Sequence, residues 1–172
     1  MNKKKVLRII IDILAILLFI FLDQFTKYLA VVKLKYNPPY VLIDGVLELN
    51  YLENKGAAFG MLQDKRTLFI FMTVIMLTVV FYVLIKLPDE KKFVSWQIFL
   101  CLICAGGIGN MIDRVRFDYV VDFIYFVLID FPVFNLADIL ITIGTVLFFI
   151  VILFLTKEEE LQFLRFNIRR DS

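Results

Sequence analysis

Four apolar runs, Ile9–Val32, Thr67–Leu87, Phe93–Ile112 and Leu136–Leu155, decide what this chain can become. Each reaches the roughly 20 residues that an α-helix needs to cross about 30 Å of hydrocarbon. A backbone in lipid has no water to bond, so a helix, which satisfies its own N–H and C=O groups, is the form such runs take. With 61% hydrophobic residues and a mean hydropathy of +0.85 over 172 residues, the chain is too apolar for an ordinary soluble domain. The reading is an all-α membrane protein with four transmembrane helices, residues 1–172 forming a single integral domain. Lys3, Lys4, Lys5 and Arg8 ahead of the first run imitate a signal peptide, but no small-residue cleavage site follows, so a retained helix is expected.

Four crossings put both termini on one side, and charge selects the side. The two tails and the Lys86–Lys92 loop carry eleven of the nineteen basic residues, which places them in the cytoplasm. The Lys33–Arg66 and Asp113–Asn135 loops then face outward. In the first, Asp44-Gly45 is a turn signal, and Leu47, Leu49 and Tyr51 alternate with Glu48 and Asn50, the period of a strand. A short hairpin or curved sheet at the membrane surface is expected there. The Asn54–Gly60 stretch that follows reads equally as a plain turn and as a close backbone approach to another chain. The tail from Lys157, with Leu161, Phe163, Leu164 and Phe166 among arginines, reads as an amphipathic anchor on the cytoplasmic leaflet.

Absences narrow the chemistry. Without histidine, and with serine only at Ser95 and Ser172, the chain holds no Ser-His-Asp triad, Cys-His pair or histidine-based zinc site. Cys101 and Cys104 lie inside an apolar run without a second pair and read as buried small hydrophobes, so neither metal nor cofactor is expected. A net charge of +2, with basic residues scattered around apolar runs, excludes nucleic acid as a partner. Hydrolytic chemistry, if present, falls to carboxylates.

Five of the eleven aspartates lie between Gly106 and Asp138. A carboxylate near hydrocarbon costs several kcal/mol unless paired or hydrated, so each needs a partner. Asp12 has Arg8 one helical turn away, Asp23 has Lys27 in the same i, i+4 relation, and Asp113, at the end of the third run, is followed at once by Arg114, a local charge pair expected to cap the helix exit. Asp118 and Asp130 read as solvated loop charges. Asp122 and Asp138 have no basic residue beside them, and both belong to the same interface, since the third run exits where the fourth enters. If the Phe123–Ala137 segment, with Pro132, folds back, the two carboxylates meet and share a proton, as an aspartic peptidase requires. Residue type and order alone leave structural and catalytic roles open.

The stretches DQFTK at Asp23–Lys27, NKGAAFG at Asn54–Gly60, GGIGNMIDR at Gly106–Arg114, YVVDF at Tyr119–Phe123 and FNLAD at Phe134–Asp138 resemble the lipoprotein signal peptidase (signal peptidase II) family in order and spacing over nearly the whole length. The resemblance implies a membrane aspartic endopeptidase that removes signal peptides from bacterial prolipoproteins, cutting before the diacylglyceryl-modified cysteine. It implies that Asp122 and Asp138 are the catalytic pair. It also implies that Asp23, Lys27, Asn54, Gly56, Asn110, Arg114 and Asn135 support the site or contact substrate. Phe59 and Gly60 would belong to an outer loop enclosing the substrate, and the outer loops, the strand-like first one among them, would form a small extracytoplasmic β-cradle. Membrane lipids and the lipid-modified prolipoprotein are the implied partners, and the location is the bacterial inner membrane with the site near its outer face; a monomer is expected. A proton-coupled carrier and a non-catalytic scaffold are the other classes compatible with intramembrane carboxylates, but no inverted repeat supports the carrier.

Overall fold

The computed structural model of the chain describes residues 3–56 and 65–164. Helix α1 (Lys3–Leu34) leads into strands β1 (Tyr40–Ile43) and β2 (Leu47–Asn54); α2 (Arg66–Lys86), α3 (Val94–Phe117), β3 (Val120–Phe126) and α4 (Leu136–Ile150) follow. A 3₁₀ turn, Lys91–Phe93, precedes α3, and a π-helical turn, Val151–Leu155, extends α4. Among the described residues, three helices have the length and apolarity to cross a membrane: Arg66–Lys86, Lys91–Phe117 and Leu136–Leu155. They coincide with three of the four apolar runs. Of the three, α3 is the central one, buried over 56% of its apolar stretch against 17% for α2 and 11% for α4.

Close packing at the centre depends on small residues. A Cβ on Gly106 of α3 would lie 2.4 Å from the Ala137 carbonyl oxygen in the first turn of α4, so the two backbones approach as near as glycine allows. Below this contact, Leu100, Cys101, Ile103, Cys104 and Ala105 form the core with Ile16 of α1, Leu77, Val80 and Leu84 of α2, and Leu140 of α4. The two cysteines are buried there as small apolar side chains. Gly106→Ala is expected to force α3 and α4 apart at a cost of about 1–3 kcal/mol, seen as a lower thermal midpoint in detergent.

The small sheet is antiparallel in the order β1-β2-β3. Gly45, at φ +65°, makes the turn between β1 and β2 at the Asp44-Gly45 signal. Strand β3 lies in the second outer loop without a period to mark it: VVDFIYF lacks polar alternation because its Val121 and Phe123 pack with Ala30 and Leu34 of α1. The alternation expected along β2 ends early. Leu49 faces Ile124 while Leu52 faces Asp122, three residues against two, so a bulge shifts the register and sets Asn54 opposite Val120. Regular pairing would have put Glu53 there. Instead, Glu53 accepts hydrogen bonds from Lys35 and Tyr51, and the Lys35 ammonium holds its carboxyl below the usual range.

Several local expectations are corrected. The third run is helical to Phe117, so Asp113 and Arg114 lie inside a helix and do not cap its exit. Adjacent helix positions point about 100° apart and cannot pair face to face. Arg8 pairs with Asp89 and donates to the Leu87 and Leu84 carbonyls at the end of α2, while Asp12 accepts from Gln97 of α3. The free carbonyls of a helix end draw the guanidinium away from its neighbour one turn on. Asp118 and Asp130 are exposed, as expected of solvated loop charges, while pairing with Arg66 and accepting from Tyr125 respectively. In the tail, Leu161 and Phe163 pack onto Leu87, Phe93 and Trp96 of the protein itself; Phe166 and the arginines lie outside the described residues.

Candidate active site

Asp122 and Asp138 reach one place from two elements. Beyond β3 the chain makes a 3₁₀ turn, Val127–Ile129, and Asp130 takes a left-handed conformation at φ +46°. The backbone then returns so that Phe134 pairs with Ile124: Ile124 N–H donates to Phe134 O at 2.8 Å and Phe134 N–H to Ile124 O at 3.0 Å. The next residue, Asn135, is the N-cap of α4. Its side-chain oxygen accepts from Asp138 N–H at 3.1 Å, and the Asp138 carboxylate accepts from Asn135 N–H at 3.0 Å. This reciprocal cap satisfies two helix-end donors and fixes the Asp138 side chain at the positive end of α4.

Asparagine amides complete the surroundings. Asp122 accepts from Asn54 Nδ2 at 2.7 Å and from Asn135 Nδ2 at 2.6 Å; Asp138 accepts from Asn110 Nδ2 at 2.8 Å. Each amide has its oxygen occupied by an obligate donor: Gly56 N–H for Asn54, Asp138 N–H for Asn135, and Lys27 Nζ for Asn110. Their NH₂ groups are thereby left for the carboxylates. The register shift in β2 has its consequence here, because it offers Asp122 a neutral donor where an unbulged strand would present the Glu53 carboxylate.

The two aspartates line a common cavity of about 580 Å³ together with Asn54, Gly56, Asn110 and Arg114. Apolar walls come from Phe69 and Met76 of α2, Ile139 and Ile143 of α4, and the Phe131–Phe134 return. Arg114 donates to Gly56 O at 3.3 Å and stacks its guanidinium 4.7 Å from the centre of the Phe69 ring. Burial, followed by the charge of Asp138, pushes the Asp122 carboxyl up to about 7, with the Asn54 and Asn135 amides opposing the rise. A carboxyl of that kind is available at neutral pH as a proton donor, beside a second carboxylate able to accept a proton.

Asp23 and Lys27 lie one layer below, with a residue whose role the sequence did not reveal. Asp113 is buried and forms an ion pair with Lys27 at 3.0 Å, opposite the Asp23–Lys27 pair at 2.9 Å. Gln24, also unforeseen, donates to both carboxylates, at 3.2 and 2.9 Å. The available signal was angular: Asp113 cannot face Arg114, so it needed a partner on another helix. Among the expected site residues, Asp122, Asp138, Asn54, Gly56, Asn110, Arg114, Asn135, Asp23 and Lys27 are thus brought into one connected group. Phe59 and Gly60 lie outside the described residues.

Comparison with known proteins agrees over most of the chain. Residues 15–154 match the family model described as signal peptidase (SPase) II. The lipoprotein signal peptidase of Clostridium tetani is 41% identical over 152 residues, spanning 86% of this chain and 94% of that protein. That of Caldanaerobacter subterraneus subsp. tengcongensis is 49% identical over 129 residues, spanning 74% and 86%. A solved structure described as a bacterial membrane enzyme, at 2.3 Å resolution, superposes with a TM-score of 0.75 at 36% identity, covering 83% of this chain and 87% of that one. A second, at 1.9 Å, gives 0.71 at 35% identity, covering 84% and 94%.

Proposed function

Since the chain belongs to the signal peptidase II family, we propose that it removes the signal peptide from bacterial prolipoproteins by an aspartic mechanism, cutting before the diacylglyceryl-modified cysteine. The observation that carries this reading is the opening of Asp122 and Asp138 onto one cavity, the first on a buried strand and the second in the cap of a helix.

In this mechanism Asp138, ionised at the N-terminal turn of α4 and accepting two N–H donors, takes a proton from a water molecule. The water oxygen bonds to the scissile carbonyl carbon. Asp122, protonated, hydrogen-bonds the carbonyl oxygen and donates its proton as the tetrahedral diol forms. Collapse breaks the C–N bond; Asp138 passes its proton to the departing amine of the modified cysteine, and a proton returns from the diol to Asp122. Arg114 and Asn54, at the cavity wall, hold peptide carbonyls of the substrate.

Helix α1 acts as the fourth span, as its large apolar residues exposed along one side, Leu14, Leu17, Leu18 and Phe21, favour lipid contact. With both termini cytoplasmic in the inner membrane, the sheet is an extracytoplasmic cradle and the site lies near the outer face. A monomer suffices, since one chain supplies every group the mechanism uses. The diacylglyceryl chains stay in the bilayer while the peptide bond reaches water. A synthetic prolipoprotein peptide bearing the lipid-modified cysteine is expected to be cut by the purified protein before that cysteine, as read by mass spectrometry, and its unmodified twin to remain intact. Equal cleavage of both, or a cut elsewhere, would overturn the specificity.

A further inference from the structure

The Lys27 ammonium is buried and has three N–H donors, each with an acceptor: Asp23 Oδ2 at 2.9 Å, Asp113 Oδ2 at 3.0 Å and Asn110 Oδ1 at 2.9 Å. Behind each acceptor stands a piece of the proposed dyad. The other oxygen of Asp23 accepts from Ala137 N–H at 2.9 Å, and Ala137 immediately precedes Asp138. Asp113 Oδ2 also accepts from Val121 N–H at 3.2 Å, and Val121 immediately precedes Asp122. Asn110 carries its NH₂ on to the Asp138 carboxylate at 2.8 Å. One cation therefore joins the backbone mounting both carboxylates and one of the carboxylates itself.

We infer that Lys27 is a positioning residue that sets the spacing between the Asp122 and Asp138 carboxyl groups. This rests on the reading of that pair as the catalytic dyad. An i, i+4 pair with Asp23 alone would neutralise Lys27 along one helix; the present cluster instead buries two carboxylates around one ammonium, a costly arrangement that links α1, α3, β3 and α4. A tetrahedral ammonium can aim three donors at three separate acceptors, one on α1 and two on α3. A planar guanidinium directs its donors within one plane, so arginine is no substitute.

Spacing is measurable because it governs how strongly one carboxylate raises the other, and so the width of the pH–rate bell. Among the described residues, the charged groups around the pair are Arg114 and Asp113 from α3 and Lys27 and Asp23 from α1; the α2 wall offers Phe69, Thr73 and Met76, which do not titrate. Lys27→Gln with Asp113→Asn keeps the net charge of the cluster, since one cation and two anions become a single anion. In the full-length purified chain this double variant is expected to lose about 100-fold in kcat with KM little changed, the cost of a roughly 1 Å misplacement. Its bell should narrow, both limbs moving inward as the carboxylates separate.

A rate near wild type would reduce Lys27 to a counter-charge and overturn the inference. A lost rate with an unchanged bell would also overturn it, by marking a general loss of structure. Should the double variant not fold, Asp113→Asn alone, isosteric and leaving Lys27 in place, is expected to narrow the bell with a loss of about tenfold; an unchanged bell again contradicts the inference. Asp138→Asn in the same assay separates the two failures. Turnover there would remove the dyad reading itself, whereas an inactive control confines any failure to Lys27.

Discussion

Asp122→Asn and Asp138→Asn are each expected to lower cleavage of the lipid-modified peptide by at least about 10³-fold while the protein still folds. Asparagine matches the shape of aspartate but can neither accept a proton from water nor donate a carboxylic proton to a carbonyl oxygen. At position 138 the loss removes the group that takes the proton. At position 122 an amide would also meet the NH₂ groups of Asn54 and Asn135, so one donor would face another. Both replacements keep the shape of the side chain and neither adds a charge to the cavity, so the fold should be kept. Cleavage under single-turnover conditions, beside thermal unfolding of each variant, separates chemistry from folding. Turnover near wild type in either variant would remove that residue from the mechanism.

The residues gathered at the site were legible because they are costly where they stand. Asp122 and Asp138, with apolar neighbours and no basic residue beside them, had to find partners elsewhere, and the motif resemblance attached Asn54, Asn110 and Asn135 to them. The partner assignments were less legible where a charge had a neighbour in sequence. Asp113 beside Arg114 and Asp12 near Arg8 suggested local pairs, yet Asp113 serves Lys27 and Asp12 binds Gln97. Burial decides such cases: a carboxylate 1% exposed, as Asp113 is, bonds to whatever the core brings to it, and that is a property of packing.

Elements were read best where one period dominates. The apolar runs marked α2, α3 and α4 to within a few residues except at the end of α3, where polar residues from Asp113 onward hid five more helical positions. Strand β3, covered by α1 on one face and carrying Asp122 toward the cavity on the other, has no alternation to betray it. The bulge in β2 is equally silent in sequence, because an extra residue in one strand is visible only against its partner. It is nevertheless what sets Asn54, and not Glu53, on the face of Asp122.

The pH dependence of kcat/KM tests most directly the central claim, that Asp122 and Asp138 work as one proton-sharing pair. Activity requires one proton on the pair: Asp122 must hold it and Asp138 must be ionised. Burial and the neighbouring charge raise Asp122 to about 7, so the competent form persists below that pH and is lost as pH rises through it, about tenfold per unit beyond. On the acid side the pair takes up a second proton and the rate falls again. The profile should therefore be a bell whose alkaline limb lies near pH 7, measured on the lipid-modified peptide at constant detergent and lipid composition. A rate that keeps rising through pH 8 and 9, as a lysine base would give, contradicts the account.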